Sequence, residues 1–183
     1  MITIKPGEFF AKLKGRSRSP PSVGLDEIFW SWLGSFLGIA AVAYISYQYL
    51  ETTDLTMIIG SFGASAVLIY AAITSPLAQP RNLVGGHVVS AMIGVAAYQH
   101  VSNLWLASAL AVSLAIAFMH ATRTLHPPGG ATALIAVIGS DKIHALGYTY
   151  ILVPVASGAV IMLVIALMVN NLAKRRSYPE YWL

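Results

Sequence analysis

Apolar positions in this chain come in long runs rather than alternating with polar ones, and the runs are separated by short clusters of charge, proline or glycine. Six runs cover residues 27–50, 55–74, 83–101, 104–122, 127–140 and 148–172. Runs that are hydrophobic all round predict helices surrounded by lipid or by other helices. Most approach the roughly 20 residues needed to cross about 30 Å of hydrocarbon. The fifth is shorter. Its fourteen residues rise only about 21 Å as a helix, so it begins inside the membrane or hairpins back.

Two of the runs open alike. Gly63-Ala64-Ser65-Ala66-Val67-Leu68-Ile69 is followed, sixty-seven positions on, by Gly130-Ala131-Thr132-Ala133-Leu134-Ile135-Ala136. Gly60-Ser61-Phe62 introduces the first and His126-Pro127-Pro128-Gly129 the second. Small, helix-breaking residues placed before apolar runs in both halves of a chain are the pattern of interrupted helices around a transport site. The expected fold is an all-α membrane protein of six transmembrane segments. They form two inverted three-helix repeats, over 27–101 and 104–172, with the second and fifth segments interrupted or short. An odd number of crossings per repeat inverts the second copy. Residues 1–26 read as a basic cytoplasmic tail, 27–173 as the transmembrane domain and 174–183 as a cytoplasmic C-terminal tail. A four-helix arrangement is the alternative.

Composition agrees. The 183 residues are 57% hydrophobic and 10% charged, with a mean hydropathy of +0.70, where soluble domains carry about 25% charged residues. Charge placement adds orientation. With both termini inside, ten of the eleven Lys and Arg residues fall on the inner face and only Lys142 outside, a strong positive-inside bias. Trp30, Trp32, Trp105, Tyr148 and Tyr150 lie near segment ends, as interfacial aromatics do. The net charge of +4 lacks the basic stripe of a nucleic-acid binder. With no cysteine, disulfides, thiolate metal sites and cysteine catalysis are excluded. The N-terminal stretch has neither a signal-peptide core nor a plastid transit segment, so a bacterial inner membrane is expected.

The chemistry concentrates at the breaks. A helix start leaves about four amides free and carries partial positive charge, and two such starts facing one cavity suit a small anion. Gly63, Ala64, Gly129 and Gly130 would offer amides and Ser61, Ser65 and Thr132 hydroxyls, with Pro127 and Pro128 setting the second break. His87 and His126 would offer hydrogen bonds or protons; for His87 a structural bond to a neighbouring helix is the alternative. Arg81 and Arg123 would supply positive potential on the inner side, or act only as anchors. For Gly63 and Ser65, simple helix packing is equally open. Gly34-xxx-Gly38 and Gly86-xxx-Ser90-xxx-Gly94 read as packing faces within or between subunits. All seven carboxylates lie in tails or near segment ends, which argues against a cation pathway. His120 and His126 have no carboxylate beside them, so no metal and no other cofactor is expected. No nucleophile–base pair and no phosphate-cradling loop stands out, so the chain does not read as an enzyme.

Leu125-His126-Pro127-Pro128-Gly129-Gly130-Ala131-Thr132-Ala133 resembles the signature of the HPP family of integral membrane proteins. Gly60–Leu68, Ser75–Asn82 and Gly85-Gly86-His87 resemble that family's other blocks, so the likeness covers nearly all of the chain beyond about residue 27. The resemblance implies four spanning helices, from which the count of six departs. Because cyanobacterial and chloroplast members are associated with nitrite transport, it also implies nitrite as the first candidate substrate. Other members carry appended regulatory domains, and none is expected for this chain. The expected function is therefore a transporter or channel for a small inorganic anion, bound between interrupted helix starts near the midplane of the bilayer. A homo-oligomer, a dimer first, is the expected assembly. The alternative is a membrane scaffold or sensor that transports nothing.

Overall fold

The computed structural model describes residue 19, residues 21–50 and residues 58–183. Most of the expected N-terminal tail, the opening of segment two, Glu51 and Asp54 lie outside the described residues. Within them there are seven α-helices and no strand. Helix α1, Leu25–Ile45, runs on through a π-helical turn at Ser46–Leu50. Helix α2, Ser61–Ala66, continues as a second π-helical turn, Val67–Ala71. A 3-10 turn at Pro76–Ala78 leads into α3, Pro80–His100. Then come α4, Leu104–Ala121, α5, Pro127–Ile138, and α6, Asp141–Leu146. Last is α7, Ser157–Leu172, approached through a π-helical stretch at Ile151–Ala156.

Local chemistry explains the boundaries. Asp26 and Glu27 sit in the first turn of α1, where negative charge complements the helix dipole. Pro80 opens α3 after an extended Gln79, and Pro127 opens α5 after an extended His126; a first-turn proline loses no hydrogen bond. The Asn103 side chain caps α4 by accepting from the Leu106 amide. Arg123 ends α4 in the left-handed region, φ 56°. The sixth segment, expected without interruption over 148–172, is broken at Val153, whose backbone is extended (φ −131°, ψ 118°) before Pro154. The residue before a proline is pushed away from helical geometry.

Three helices are long and apolar enough to cross a membrane: Leu25–Leu50, Leu104–Ala121 and Ile151–Leu172. The first two bury thin stripes at helical spacing, Gly34, Gly38 and Val42 on one and Ala107, Ala111, Ala115 and Met119 on the other. Helix α3 has 21 residues, about 31 Å, but carries Arg81, Asn82, His87 and Ser90. It is the spine of the bundle, flanked by α4, α5 and the broken start of α7, and protein shields its polar residues from lipid. The second and fifth segments are helical over Ser61–Ala71 and Pro127–Ile138, about 17 and 18 Å at the helical rise. Both are too short to span.

Cross-links fix which ends meet. Arg176 bonds Glu27, joining the end of α7 to the start of α1. Arg81 donates to the Thr122 carbonyl and Asn82 to that of Leu125, gathering the start of α3, the end of α4 and the start of α5. The Arg176 guanidinium also reaches the Tyr70 carbonyl, so α2 ends at this same face. Helices α2 and α5 are therefore antiparallel. At the opposite face the approach to α2 (Ile58, Ile59 and Gly60) and the turn from α5 into α6 (Gly139, Ser140, Lys142 and Ile143) line one surface pocket of about 400 Å³.

The packing faces are used within the chain. The Tyr70 ring lies in the notch left by Gly34 and Gly38, and Gly86 and Gly94 let α3 approach the backbone of α5 and the loop before it. Tyr150 is a correction: expected at an interface, it is fully buried. Gly147, at φ 50°, turns the chain there and sends that ring inward, whereas Trp32, Trp105 and Tyr148 do face outward.

Candidate functional site

The start of α2 crosses α5 within its first two turns, and α3 lies behind both. Five buried side chains meet there: Ser61, Ser65, His87, His126 and Thr132. Ser65 Oγ lies 2.7 Å from Nε2 of His87 and 2.9 Å from Nε2 of His126. Nδ1 of His87 lies 2.7 Å from Thr132 Oγ1, and the Thr132 hydroxyl donates to Ser61 Oγ at 2.9 Å. Nδ1 of His126 lies 2.8 Å from the Leu77 carbonyl. A carbonyl only accepts, so this nitrogen carries a proton. The two rings sit edge to face, 4.9 Å apart, and the Phe62 ring meets His87 at 5.4 Å.

Ser65 and Thr132 occupy equivalent positions in the two similar segments, and their surroundings match. Each hydroxyl lies 3.3 Å from the carbonyl four residues earlier, Ser61 for one and Pro128 for the other. Each grips one nitrogen of the same histidine. Such burial is costly in hydrocarbon unless every polar atom is paired. Among the described residues no buried side-chain nitrogen or oxygen lacks a partner.

The other sequence candidates lie around this junction. Gly63 and Ala64 are on the outward face of α2; Gly63 lines a groove with Ser31, Trp32 and Ser35 of α1. The Gly63 amide donates to Gly60 and that of Gly129 to His126. Gly129 is a packing position, since a Cβ there would lie 2.7 Å from Ser90 Oγ and 2.9 Å from the Gly86 carbonyl. Pro128 is buried, while Pro127 and Gly130 border an apolar groove of about 600 Å³ with Val112, Ile116 and Leu134. Arg81 is engaged by Thr122. Arg123 is exposed at the turn after α4. Neither arginine bonds to the junction.

Several contributors carried no sequence signal. Leu77 acts through its backbone. The Tyr150 hydroxyl donates to the Thr132 carbonyl. Arg176, one of three consecutive cations, is buried and bonded to Glu27, Ser31, Tyr70 and Asn170. Beyond it the tail returns over the α2–α3 linker. Tyr178 donates to the Ala78 carbonyl, and the Gln79 side chain accepts from the Glu180 amide while donating to the carbonyls of Ile73 and Ser75. Among the described residues no three His, Asp or Glu side chains gather as a metal site would need.

The His-Pro-Pro-Gly-Gly run thus begins the half-length helix that brings His126 and Thr132 to the junction. A family model for the HPP transmembrane region matches residues 20–179. The chain belongs to the HPP family. Two transmembrane proteins of Dictyostelium discoideum are similar to it. One is 51% identical over 179 residues, covering 96% of this chain and 57% of the relative. The other is 51% identical over 172 residues, covering 92% and 60%. The chain therefore spans under two thirds of the length of these relatives. No solved structure matches. This HPP-family chain is a membrane protein.

Proposed function

We propose that the protein is a transporter or channel for a small inorganic anion, with nitrite the first candidate. The observation that carries this reading is His87, held at 2.7 Å by Ser65 from one half of the chain and by Thr132 from the other. Two half-length antiparallel helices meeting at paired polar side chains are what an inverted repeat builds around a substrate. On this reading α2 and α5 are the interrupted members of six segments, and both termini are cytoplasmic. The sign of the ligand follows from charge. No carboxylate is buried among the described residues, and the one buried formal charge is Arg176. The junction offers hydroxyl and imidazole hydrogens instead, with Arg81 and Arg123 drawing anions toward the inner face. The amides of Gly63 and Gly129 already have acceptors, so the side chains rather than these amides would hold the anion.

With no nucleophile or cofactor invoked, the protein on this reading is not an enzyme. The Gly34–Gly38 and Gly86–Gly94 faces are filled within the chain, so a dimer would use another surface. The sequence favours a bacterial inner membrane; both similar proteins come from Dictyostelium.

One observation favours a scaffold or sensor instead: the buried polar atoms of the junction all find partners within the protein. Nitrite uptake into proteoliposomes separates the two. Transport requires wild-type flux well above that of empty vesicles and its loss in His126→Ala. Equal flux in all three preparations would refute it.

A further inference from the structure

The junction is a single-file chain of hydrogen bonds with a direction. From the inner end it runs from the Leu77 carbonyl through His126, Ser65, His87 and Thr132 to Ser61, five contacts of 2.7–2.9 Å. No branch of it ends on a carboxylate or a Lys. Its outer end is one residue from Gly60, which lines the outer surface pocket with Ser140 and Lys142. Its inner end is the linker under the C-terminal tail. Histidine and hydroxyl side chains can each accept a proton on one side and release one on the other.

Counting hydrogens sharpens this. The Leu77 contact uses Nδ1–H of His126. In one orientation of the hydroxyls Thr132 donates to Ser61, and the 2.7 Å contact to Thr132 is then made by Nδ1–H of His87. The two contacts of Ser65 then need two hydrogens, and its hydroxyl supplies one when it points at a ring rather than at the Ser61 carbonyl 3.3 Å away. The arrangement thus holds one proton more than two neutral imidazoles provide. Turn the Ser61 and Thr132 hydroxyls about, and every contact is satisfied with both rings neutral and all hydrogens pointing toward Leu77. The same atoms support a loaded and an empty state that differ by one proton and a rotation of hydroxyls.

From this geometry we infer that the five side chains form a proton relay across the junction, moving a proton together with the anion. This deepens the transport reading and rests on it for the coupling. A hydronium ion in the outer pocket gives a proton to Ser61, whose own hydrogen passes to Thr132 and that of Thr132 to Nδ1 of His87. Nε2–H of His87 then passes to Ser65, and the hydrogen of Ser65 to Nε2 of His126. Nδ1–H of His126 leaves to water or to the anion once the Leu77 carbonyl moves away. One proton enters and one leaves; the hydroxyls then turn back, and each imidazole regains its starting tautomer by giving a proton to water from one nitrogen and taking one from water at the other. The titratable groups facing the relay are its two histidines and Tyr150, which donates to the Thr132 carbonyl from the approach to α7. Helix α2 contributes Phe62, and α4 contributes Met119 beside Gly86 and Gly129. Arg81 and Arg176 are bound elsewhere, to Thr122 and Glu27.

The test uses the full chain in pyranine-loaded proteoliposomes, with an inward nitrite gradient and with nitrite uptake measured alongside lumenal acidification. Thr132→Val keeps the shape and removes the link, Thr132→Ser restores a hydroxyl, and Ser65→Ala cuts the relay between the rings. Protein-dependent acidification is expected in the wild type. It should fall at least about tenfold in Thr132→Val and in Ser65→Ala, a barrier increase of about 1.4 kcal/mol or more, and recover in Thr132→Ser. Nitrite uptake without acidification would overturn the relay and leave transport standing. Acidification without nitrite uptake would overturn nitrite as substrate and leave the relay standing. Equal acidification by the Val and Ser variants would overturn the relay, and neither flux above empty vesicles would overturn both. Should Thr132→Val fail to fold, Ser65→Ala decides, since it only deletes an oxygen.

Discussion

Arg176 offers the sharpest quantitative test of the fold. Its side chain is 3% exposed, and its five N–H hydrogens make six contacts, one hydrogen on Nη2 being shared. Two go to the Glu27 carboxylate and one each to the carbonyls of Glu27 and Tyr70, to Ser31 Oγ and to Asn170 Oδ1. Replacing it by Met keeps much of the bulk but strands these acceptors. Removing one member of a buried pair costs about 3–5 kcal/mol. Glu27 is 33% exposed, so its carboxylate recovers some water, which places the loss near the low end, at about 3 kcal/mol. For a domain of this size that corresponds to a drop in melting temperature of about 6–12 °C. Arg176→Lys should fall between, because an ammonium cannot reproduce the planar fork. The internal control is Arg175→Met. That side chain is 89% exposed and 3.7 Å from Asp26, so its loss should cost less than about 0.5 kcal/mol. Recovery of folded protein by size exclusion after stepwise heating, in detergent and in nanodiscs, gives the midpoints. If the Arg176→Met and Arg175→Met proteins melt together, the buried clamp is not what joins α7 to α1.

Three further outcomes follow from the geometry. Gly129→Ala should destabilise by about 1–3 kcal/mol because its methyl group meets the Gly86 backbone in a packed interface. Gly130→Ala, with its nearest neighbour at 3.8 Å, should be neutral or slightly stabilising, and thermal midpoints compare the two. Burial raises the Tyr178 phenol above its usual value of 10.0, so the folded state favours the protonated form. That stability is fully present below about pH 10 and is lost as the unfolded phenol ionises above it; Tyr178→Phe should flatten this part of the stability profile between neutral and alkaline pH. Because the chain has no native cysteine, single Lys142→Cys and Arg175→Cys proteins can be labelled with an impermeant maleimide. They should react from opposite faces of the membrane, and labelling from one face would overturn the crossing order.

What could be read from the sequence was whatever depends on local chemistry. Proline and glycine mark the start of α5 at Pro127, and apolar length marks α1, α4 and the body of α7. The similar segments around Ser65 and Thr132 hold the two hydroxyls that matter. Their meeting on His87 was not legible, because it depends on how α3 passes behind two helices sixty-odd residues apart in sequence. Nor was the tail. Lys174-Arg175-Arg176 reads as a solvated anchor, and only the returning chain distinguishes the third cation from the first two. Tyr150 misled for a related reason. Position near a segment end suggests an interface, but the left-handed Gly147 aims that side chain at the core.

These features also distinguish two kinds of contact in the bundle. Helices α3 and α5 touch backbone to side chain across Gly86, Gly94 and Gly129, a contact with no slack. Helix α2 joins the junction through hydroxyl contacts at its start, and its body is wedged as well, Phe62 against Gly158 and the Tyr70 ring against Gly34 and Gly38. A buried hydrogen bond is worth about 1 kcal/mol net when water or a ligand can replace its partner. Exchanging the two contacts of Ser65 for an anion or for water therefore costs a few kcal/mol at most, well within reach of binding energy. A junction whose polar atoms are all paired is thus compatible with an occluded resting state, on the transport reading. On the relay reading, the tail that holds Ala78 and Gln79 would set where the Leu77 carbonyl stands beside His126.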